Sequence, residues 1–219
     1  MNAPNPNDHI QNEWLGGYFY ETLAGSRQGM LNYIYHNLRH LSDGLWVDAG
    51  ANVGNHTVFF SAICDAHRVV AIEPVLDNLK VLRSNLQVNE IENVDVFDCA
   101  AGARSGRCSM AIVEGNNSGL HEVVDGDDTE VQSLDSIVAN YPAPVRLIKI
   151  DVEDYNLPVL EGSIETLGRD HPVVFVECAE TIELVQVNSF MVAQGYERVR
   201  GVVLNYTPTY VWEYKKTDD

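Results

Sequence analysis

Residues 47–57 read VDAGANVGNHT, and this stretch decides the fold of the chain. It continues an apolar, strand-like run from Leu45 and leads into a helix-like segment from His56 to Ala66. A strand, an acid, a glycine-rich turn and a helix are typical of an open α/β sheet, which binds ligands at the carboxyl ends of its strands. Gly50 and Gly54 allow the backbone to turn tightly and to approach a ligand closely.

The chemistry of this turn favours S-adenosylmethionine over a dinucleotide. Asp48, at the end of the strand, suits a ligand with an amino group, and the N–H groups at the start of the helix suit a carboxylate. The dinucleotide fingerprint Gly-x-Gly-x-x-Gly is absent, and an acid here disfavours a pyrophosphate. An ordinary strand-to-helix turn with two glycines is the alternative. The predicted cofactor contacts in the turn are Asp48, Gly50, Asn52, Gly54 and Asn55.

Composition limits the class of protein and its partners. The chain has 219 residues, which suits one domain, and its 14 basic and 32 acidic residues give a net charge of −18. Such a surface repels phosphate backbones and anionic membranes, so we expect neither nucleic acid nor a membrane as partner. No apolar run is long enough to span a bilayer, and the polar start of the chain does not resemble a signal peptide. We therefore expect a cytoplasmic protein.

The four cysteines form no metal or disulfide motif. None has Cys-x-x-Cys spacing, and each lies in an apolar or strand-like stretch. We expect buried, reduced thiols and no metal site held by cysteine and histidine.

Strand and helix patterns alternate along the rest of the chain. This alternation predicts an α/β, Rossmann-like domain with a mostly parallel sheet and helices on both faces. The domain is expected to cover residues 41–219, with a tail and a helical cap in residues 1–40. The other expected elements are strands at 68–73, 94–99, 145–150 and 173–177, a hairpin-like insertion from 107 to 124, a solvated acidic loop at 125–128, a helix from 157 to 167, and an antiparallel pair at 198–204 and 209–214.

Two further strand ends suit the nucleoside part of the cofactor. Glu73 follows the second strand about 20 residues after the glycine turn, where an acid accepts hydrogen bonds from both ribose hydroxyls. The alternative for Glu73 is a first-turn acid that interacts favourably with the dipole of the next helix, and both roles can hold together. Asp98, Cys99 and Ala100 end the third strand, where small residues leave room for adenine and Asp98 can accept a hydrogen bond from its amine. Plain packing at a strand end is an equal alternative.

The fourth strand places ionisable side chains at the same edge of the sheet. Lys149 and Asp151 alternate with apolar residues, and a lysine in an apolar central strand is costly unless it is paired. Asp151, or Glu153 as the second candidate, can orient or deprotonate a substrate hydroxyl. A buried Lys–Asp pair that fixes the strand is the alternative. A divalent metal is less favoured, because the acids show no ordered ligand set.

Three other residues are weaker candidates for contact with the cofactor or the acceptor. His56 can contact the cofactor carboxylate or act as a third candidate base, although an exposed position in the first helical turn is the commoner outcome. Glu177 ends the fifth strand, where it faces the substrate or caps the next helix. His121 lies next to a polar loop at 116–118 that can reach a polar acceptor or form a plain surface turn.

These stretches, in this order, resemble the FkbM family of S-adenosylmethionine-dependent methyltransferases. The resemblance covers Trp46 to about Glu180 and is carried by WVDAGANVGNHT, VVAIEP, AAG, VQSLDSIV, LIKIDVEDYNLPVLEGS and VVFVEC. The segment LIKIDVE…VLEGS is the most specific of these. Asp154 departs from the family, which usually has glycine after the acid, and the bulkier and more acidic loop affects substrate preference.

The resemblance implies a class I methyltransferase fold of seven strands, the last one antiparallel, and O-methylation of a hydroxyl on a sugar, glycan or natural product. The partner is then a small-molecule or glycan acceptor. Alternatives are an inactive cofactor-binding or assembly module, or a methyltransferase that acts on a peptide or nucleic acid. The residues that match the family are Asp48, Gly50, Asn52 and Gly54 in the cofactor loop, Glu73 at the ribose, and Lys149, Asp151 and Glu153 at the reacting end of the sheet.

Overall fold

A computed structural model describes residues 29–112 and 121–215 of the protein, and a seven-stranded sheet lies at its centre. The strands of this sheet are β1 (Leu45–Ala49), β2 (Arg68–Ile72), β3 (Val94–Phe97), β7 (Val145–Ile150), β8 (Val173–Glu177), β9 (Tyr196–Arg198) and β10 (Thr209–Tyr214). Their order across the sheet is β3-β2-β1-β7-β8-β10-β9. The first five run parallel, and β10 runs antiparallel to both neighbours. The predicted Rossmann-like class I fold, with its antiparallel last strand, is confirmed.

Helices cover both faces of this sheet. They are α1 (Met30–Asn37), α2 (Asn55–Val58), α3 (Leu76–Val88), α4 (Leu134–Val138), α5 (Asn156–Glu161), α6 (Ile164–Asp170) and α7 (Thr181–Ala193). A 3₁₀ turn (Arg39–Leu41) follows α1, and α2 runs directly into a π-helical turn (Phe59–Ile63). The predicted helix from His56 to Ala66 is therefore shorter and changes type halfway.

Alternation along the central strands divides the core into two layers. Ile148 and Val174 pack on one face, in the same cluster as Val187 of α7. Leu147 and Phe175 pack on the other face, in a cluster with the α1 residues Met30 and Ile34 among others. A strand buried on both faces needs apolar side chains at nearly every position, and β1 is buried along its whole length. The division of the chain at residue 41 stays a prediction.

A second, three-stranded sheet includes the hairpin predicted at 107–124 and extends beyond it on both sides. Its strands are β4 (Ala100–Ala101), β5 (Gly106–Ile112) and β6 (His121–Gln132), in the order β4-β6-β5. The acidic run at 125–128, expected as a loop, lies within β6 as an exposed bulge. The bulge arises because Cys108 pairs with Thr129 whereas the next residue, Ser109, pairs with Val124.

Two predicted elements have different bounds for identifiable reasons. The helix expected from 157 to 167 is split into α5 and α6 at Gly162, where a Cβ atom would lie 2.1 Å from the carbonyl oxygen of Gly102. The strand expected at 198–204 is instead Tyr196–Arg198, and it ends before a turn in which Gly201 has a left-handed φ of +77°. An isolated bridge from Leu204 to Thr209 follows this turn. The helices predicted before Gly29 and the polar loop at 116–118 lie outside the described residues.

All four cysteines are buried and form no disulfide, so the predicted core thiols are confirmed. Burial raises the pKa of Cys64, Cys99 and Cys178 to about 12, which keeps these thiols protonated. In the described ranges, no helix is both long and apolar enough to cross a membrane.

Candidate active site

A buried lysine joins the glycine turn to the end of β7. The ammonium group of Lys149 lies 3.0 Å from Oδ1 of Asp48 and 3.3 Å from Oδ2 of Asp151. It also donates a hydrogen bond of 3.0 Å to the carbonyl oxygen of Gly50. The side chain of Lys149 is only 3% exposed, so these protein partners offset the desolvation of its charge. This geometry is that of a buried Lys–Asp pair, the alternative given in the sequence analysis for the fourth strand.

Asp48 faces inward rather than toward an open crevice. It is fully buried, and its second oxygen accepts a hydrogen bond of 2.6 Å from the hydroxyl of Thr57 at the start of the next helix. Asp48 therefore connects β1, β7 and α2, and it acts in this conformation through Lys149 and Thr57. Its predicted direct contact with a ligand amino group stays a prediction.

The glycines of the turn are required by neighbouring protein atoms. Gly50 has a φ of +77°, and a Cβ atom there would lie 1.9 Å from the carbonyl oxygen of Asp151. Gly54 has a φ of +90°, and its Cβ atom would lie 3.1 Å from Leu82 on α3. The N–H groups of Gly50 and Ala51 both donate to the carbonyl oxygen at the end of β2. The turn is thus fixed by the sheet and by α3, independently of any ligand contact.

Glu73 anchors the turn to the start of α3. One carboxylate oxygen accepts a 2.8 Å hydrogen bond from the backbone N–H of Asn52. The other accepts from the backbone N–H of Val75, at 2.9 Å, and from the side-chain amide of Asn78, at 3.1 Å. Glu73 is 4% exposed. The alternative of an acid at a helix start fits these contacts, and the ribose contact stays a prediction.

Asn52 is the residue of the turn whose side chain is best suited to a ligand. It has a left-handed φ of +51°, a conformation that asparagine tolerates better than most residues. Its Oδ1 atom is buried and has no hydrogen-bond partner among the described residues. A buried acceptor without a donor costs about 1–3 kcal/mol. A ligand N–H or O–H group at this position would remove that cost, so the turn fits the predicted cofactor.

The acids after β7 lie at the carboxyl edge beside this turn. Asp151 is about one-third exposed at its side chain (32%), and its backbone N–H donates to the carbonyl oxygen of Ala49. Glu153 follows on the same loop and is half-buried. Asp154 has a φ of +53°, which explains why glycine suits this position. The loop thus places a partly accessible carboxylate next to the glycine turn.

Asn156 and Glu183 are hydrogen-bonded to each other beside this edge of the sheet, although the sequence did not indicate them. The side-chain amide of Asn156 donates to the carbonyl oxygen of Glu177, at 2.7 Å, and to Oε1 of Glu183, at 2.6 Å. Its own oxygen accepts from the backbone N–H of Val152, at 3.3 Å. Burial raises the pKa of Glu183, and the nearby charge of Asp154 raises it further. Asn156 thereby holds the loops after β7 and β8 together, and only the folded arrangement reveals this role.

The other residues predicted for the site differ in burial and in the core cluster they join. His56 is buried beside Phe60, with ring centroids 6.2 Å apart, so the exposed position expected for it is wrong. Asn55 begins α2 and is half-buried. Asp98 is exposed at the end of β3, whereas Cys99 lies in the main core and Ala100 packs with the second sheet. The adenine contacts of these three residues stay predictions.

The described residues show neither a cluster of metal ligands nor an exposed Trp212. Within residues 29–112 and 121–215, no group of three or more His, Cys, Asp or Glu side chains has the geometry to hold a metal ion. Trp212 is fully buried, and its indole N–H donates to Asn188 at 3.3 Å. It therefore packs the core and presents no surface to an acceptor.

Comparison with known proteins gives a match to one family model and to solved structures of the same fold. The model of the methyltransferase FkbM domain family matches residues 48–198. The crystal structure of the methyltransferase FkbM from Methylobacillus flagellatus KT superposes with a TM-score of 0.61 and 17% identity, over 89% of this chain and 50% of that one. The chain thus spans about half the length of that protein.

Two other solved structures share the fold at lower identity. An rRNA methylase from Streptococcus thermophilus has a TM-score of 0.53 and 13% identity, over 84% of this chain and 96% of that one. The ribosomal protein L11 methylase from Lactobacillus delbrueckii subsp. bulgaricus has a TM-score of 0.52 and 12% identity, over 88% of this chain and 83% of that one. No curated protein is significantly similar in sequence.

Proposed function

Because the chain belongs to the FkbM methyltransferase family, we propose that it transfers a methyl group from S-adenosylmethionine to a hydroxyl oxygen of a sugar, glycan or natural product. The family supports the cofactor and the methyl transfer. The oxygen acceptor is our proposal, and the observation that carries it is the partly exposed carboxylate of Asp151, held beside the cofactor turn by Lys149.

The residues of this edge divide into cofactor contacts and positioning groups. Asn52 offers a buried acceptor to the cofactor, and the turn that carries it is fixed by Glu73. Lys149 does not need to touch the acceptor, since its three contacts join the turn to the end of β7. We assign Lys149 a positioning role. Asp48 has a positioning role as well, because it holds Lys149 in place.

The bound cofactor supplies an activated methyl group on a good leaving group. The protein then has to align the acceptor oxygen, exclude water and remove the hydroxyl proton. Positioning of this kind can lower a barrier by about 7–11 kcal/mol, and a general base contributes roughly 10²–10⁴-fold. Asp151 is the first candidate base and Glu153 the second. His56, the third candidate, is buried and is less accessible to an acceptor.

The net charge of −18 favours acceptors other than nucleic acid. The rRNA and protein methylases that share the fold are too distant in sequence to assign an acceptor. Methyl transfer from labelled cofactor to panels of glycans, polyketides, peptides and RNA tests this directly. Label in the glycan or polyketide arms supports the proposal. Label in the RNA or peptide arms, or in none, contradicts it.

The Asp151→Asn variant should lose methyl transfer while it keeps the cofactor. The amide cannot accept the hydroxyl proton, so we expect turnover to fall by roughly 10²–10⁴-fold, with the Kd for S-adenosylmethionine nearly unchanged. Single-turnover transfer and calorimetric titration measure the two quantities on the same preparation. Glu153→Gln is the matched control and should lose less activity. A collapse of cofactor binding, with turnover per bound enzyme preserved, would show that Asp151 has no catalytic role.

A further inference from the structure

Helix α7 presents an uncharged and largely apolar face to solvent. Ile182 is 66% exposed, Val185 54% and Val192 57%. On the opposite side of the same helix, Val187 and Met191 are fully buried in the core. A helix that is apolar on both sides is normally covered on both sides, so the outer face of α7 has the character of an interface.

Three polar side chains of this helix already have hydrogen-bond partners within the protein. The hydroxyl of Ser189 donates to the carbonyl oxygen of Val185 at 2.8 Å. Asn188 accepts from the indole N–H of Trp212, and Glu183 accepts from Asn156. The outer stripe, defined as Ile182, Val185, Ser189 and Val192, can therefore be covered without leaving these groups unpaired.

Charge indicates what kind of partner covers the stripe. The chain has a net charge of −18, yet residues 184–196 contain no charged residue. Two copies of so acidic a protein repel each other over most of their surface. A face without charge is the part on which such copies can approach. By contrast, a basic partner would need acidic side chains on this face.

The spacing of the stripe fits a second copy of itself. Its members are three, four and three residues apart, and this order is the same in both chain directions. In an antiparallel pair of α7 helices, Ile182 of one copy would face Val192 of the other, and Val185 would face the small Ser189. A twofold interface brings the same patch of both subunits together, and a self-complementary stripe meets that condition.

We propose that the outer stripe of α7 is the interface of a homodimer in which two α7 helices pack antiparallel. The helix has 13 residues and is about 20 Å long, which is a small contact, so the dimer is weak and depends on concentration. Added salt strengthens the dimer, because salt screens the repulsion between the acidic copies. This salt dependence is the opposite of that expected for a basic partner.

Sedimentation velocity of the full chain, over a wide range of concentration at low and high salt, tests the proposal. We expect a monomer–dimer equilibrium that shifts toward dimer at high salt. Val185→Lys and Val192→Lys should each weaken the dimer by roughly 100-fold, with unchanged circular dichroism. The control is Val88→Lys, which replaces a valine on α3 that is more exposed (78%) than either test residue, and it should leave the equilibrium unchanged.

Three results would overturn the proposal. The first is a single monomeric species at every concentration and salt. The second is a dimer that is unaffected by both lysine substitutions on α7. The third is a dimer that Val88→Lys disrupts equally, since that would place the contact on α3.

Discussion

Replacing Lys149 with methionine is expected to destabilise the protein by about 3–5 kcal/mol, the usual result when one partner of a buried ion pair is removed. Methionine has a similar volume, so packing is largely preserved and the effect reports on charge. The substitution leaves the fully buried Asp48 with Thr57 as its remaining side-chain hydrogen-bond partner. It also leaves Asp151 without its ion-pair partner. Cofactor binding should fail as well, because the carbonyl oxygen of Gly50 loses its donor.

Two further variants separate charge from a general loss of stability. Lys80→Met is the same substitution in an exposed pair with Asp77, and it should leave the unfolding midpoint unchanged. In the Lys149→Met protein, Asp48→Asn should recover part of the lost stability, because it removes the unpaired charge. Urea unfolding measures all four proteins. Similar midpoints for Lys149→Met and Lys80→Met would show that the buried ion pair does not hold the site together.

The second large effect is expected for Gly50→Ala. The added methyl group would lie 1.9 Å from the carbonyl oxygen of Asp151, a backbone atom that cannot rotate away, and the φ of +77° is strained for alanine. Backbone strain costs about 1–3 kcal/mol and overpacking a similar amount, so we expect a loss of about 3 kcal/mol or more. The glycine turn and the loop after β7 must then separate, and cofactor binding should be lost with them.

Two other glycines allow strain and clash to be measured separately. Gly201 shares the φ of +77° but has no atom within 4 Å of an added Cβ, so Gly201→Ala measures strain alone. Gly168 lies in α6 with open space around it, and Gly168→Ala should stabilise the protein by about 0.5–1 kcal/mol. Thermal unfolding of the three variants gives the comparison. A loss at Gly50 no larger than that at Gly201 would mean that the contact with Asp151 is unimportant.

The sequence predicts the strands of the main sheet and the edge at which the site lies. It does so because buried parallel strands are short apolar runs and because the ionisable residues lie at the last positions of each run or just after it. Asp48, Glu73 and Lys149 all occur on this pattern, and the structure brings the three to one end of the sheet.

The sequence does not predict what each of these side chains contacts. Asp48 faces inward because Lys149 lies beside it on the neighbouring strand, and that pairing depends on strand order rather than on local pattern. Gly50 is required by the carbonyl oxygen of a residue far along the chain, and Gly162 by the carbonyl oxygen of Gly102. The contacts of Asn156 are also not predictable from local sequence, since its three partners lie in the loop after β7, at the end of β8 and on α7.

Calorimetric titration of the wild-type protein with S-adenosylmethionine, S-adenosylhomocysteine and NAD tests the cofactor site most directly. A site for S-adenosylmethionine at the glycine turn predicts saturable, one-site binding of both sulfur nucleosides and no binding of NAD. Asn52→Ala should weaken binding by roughly tenfold, the effect of one hydrogen bond. Saturable binding of NAD, or no binding of S-adenosylmethionine by the folded protein, would contradict this assignment.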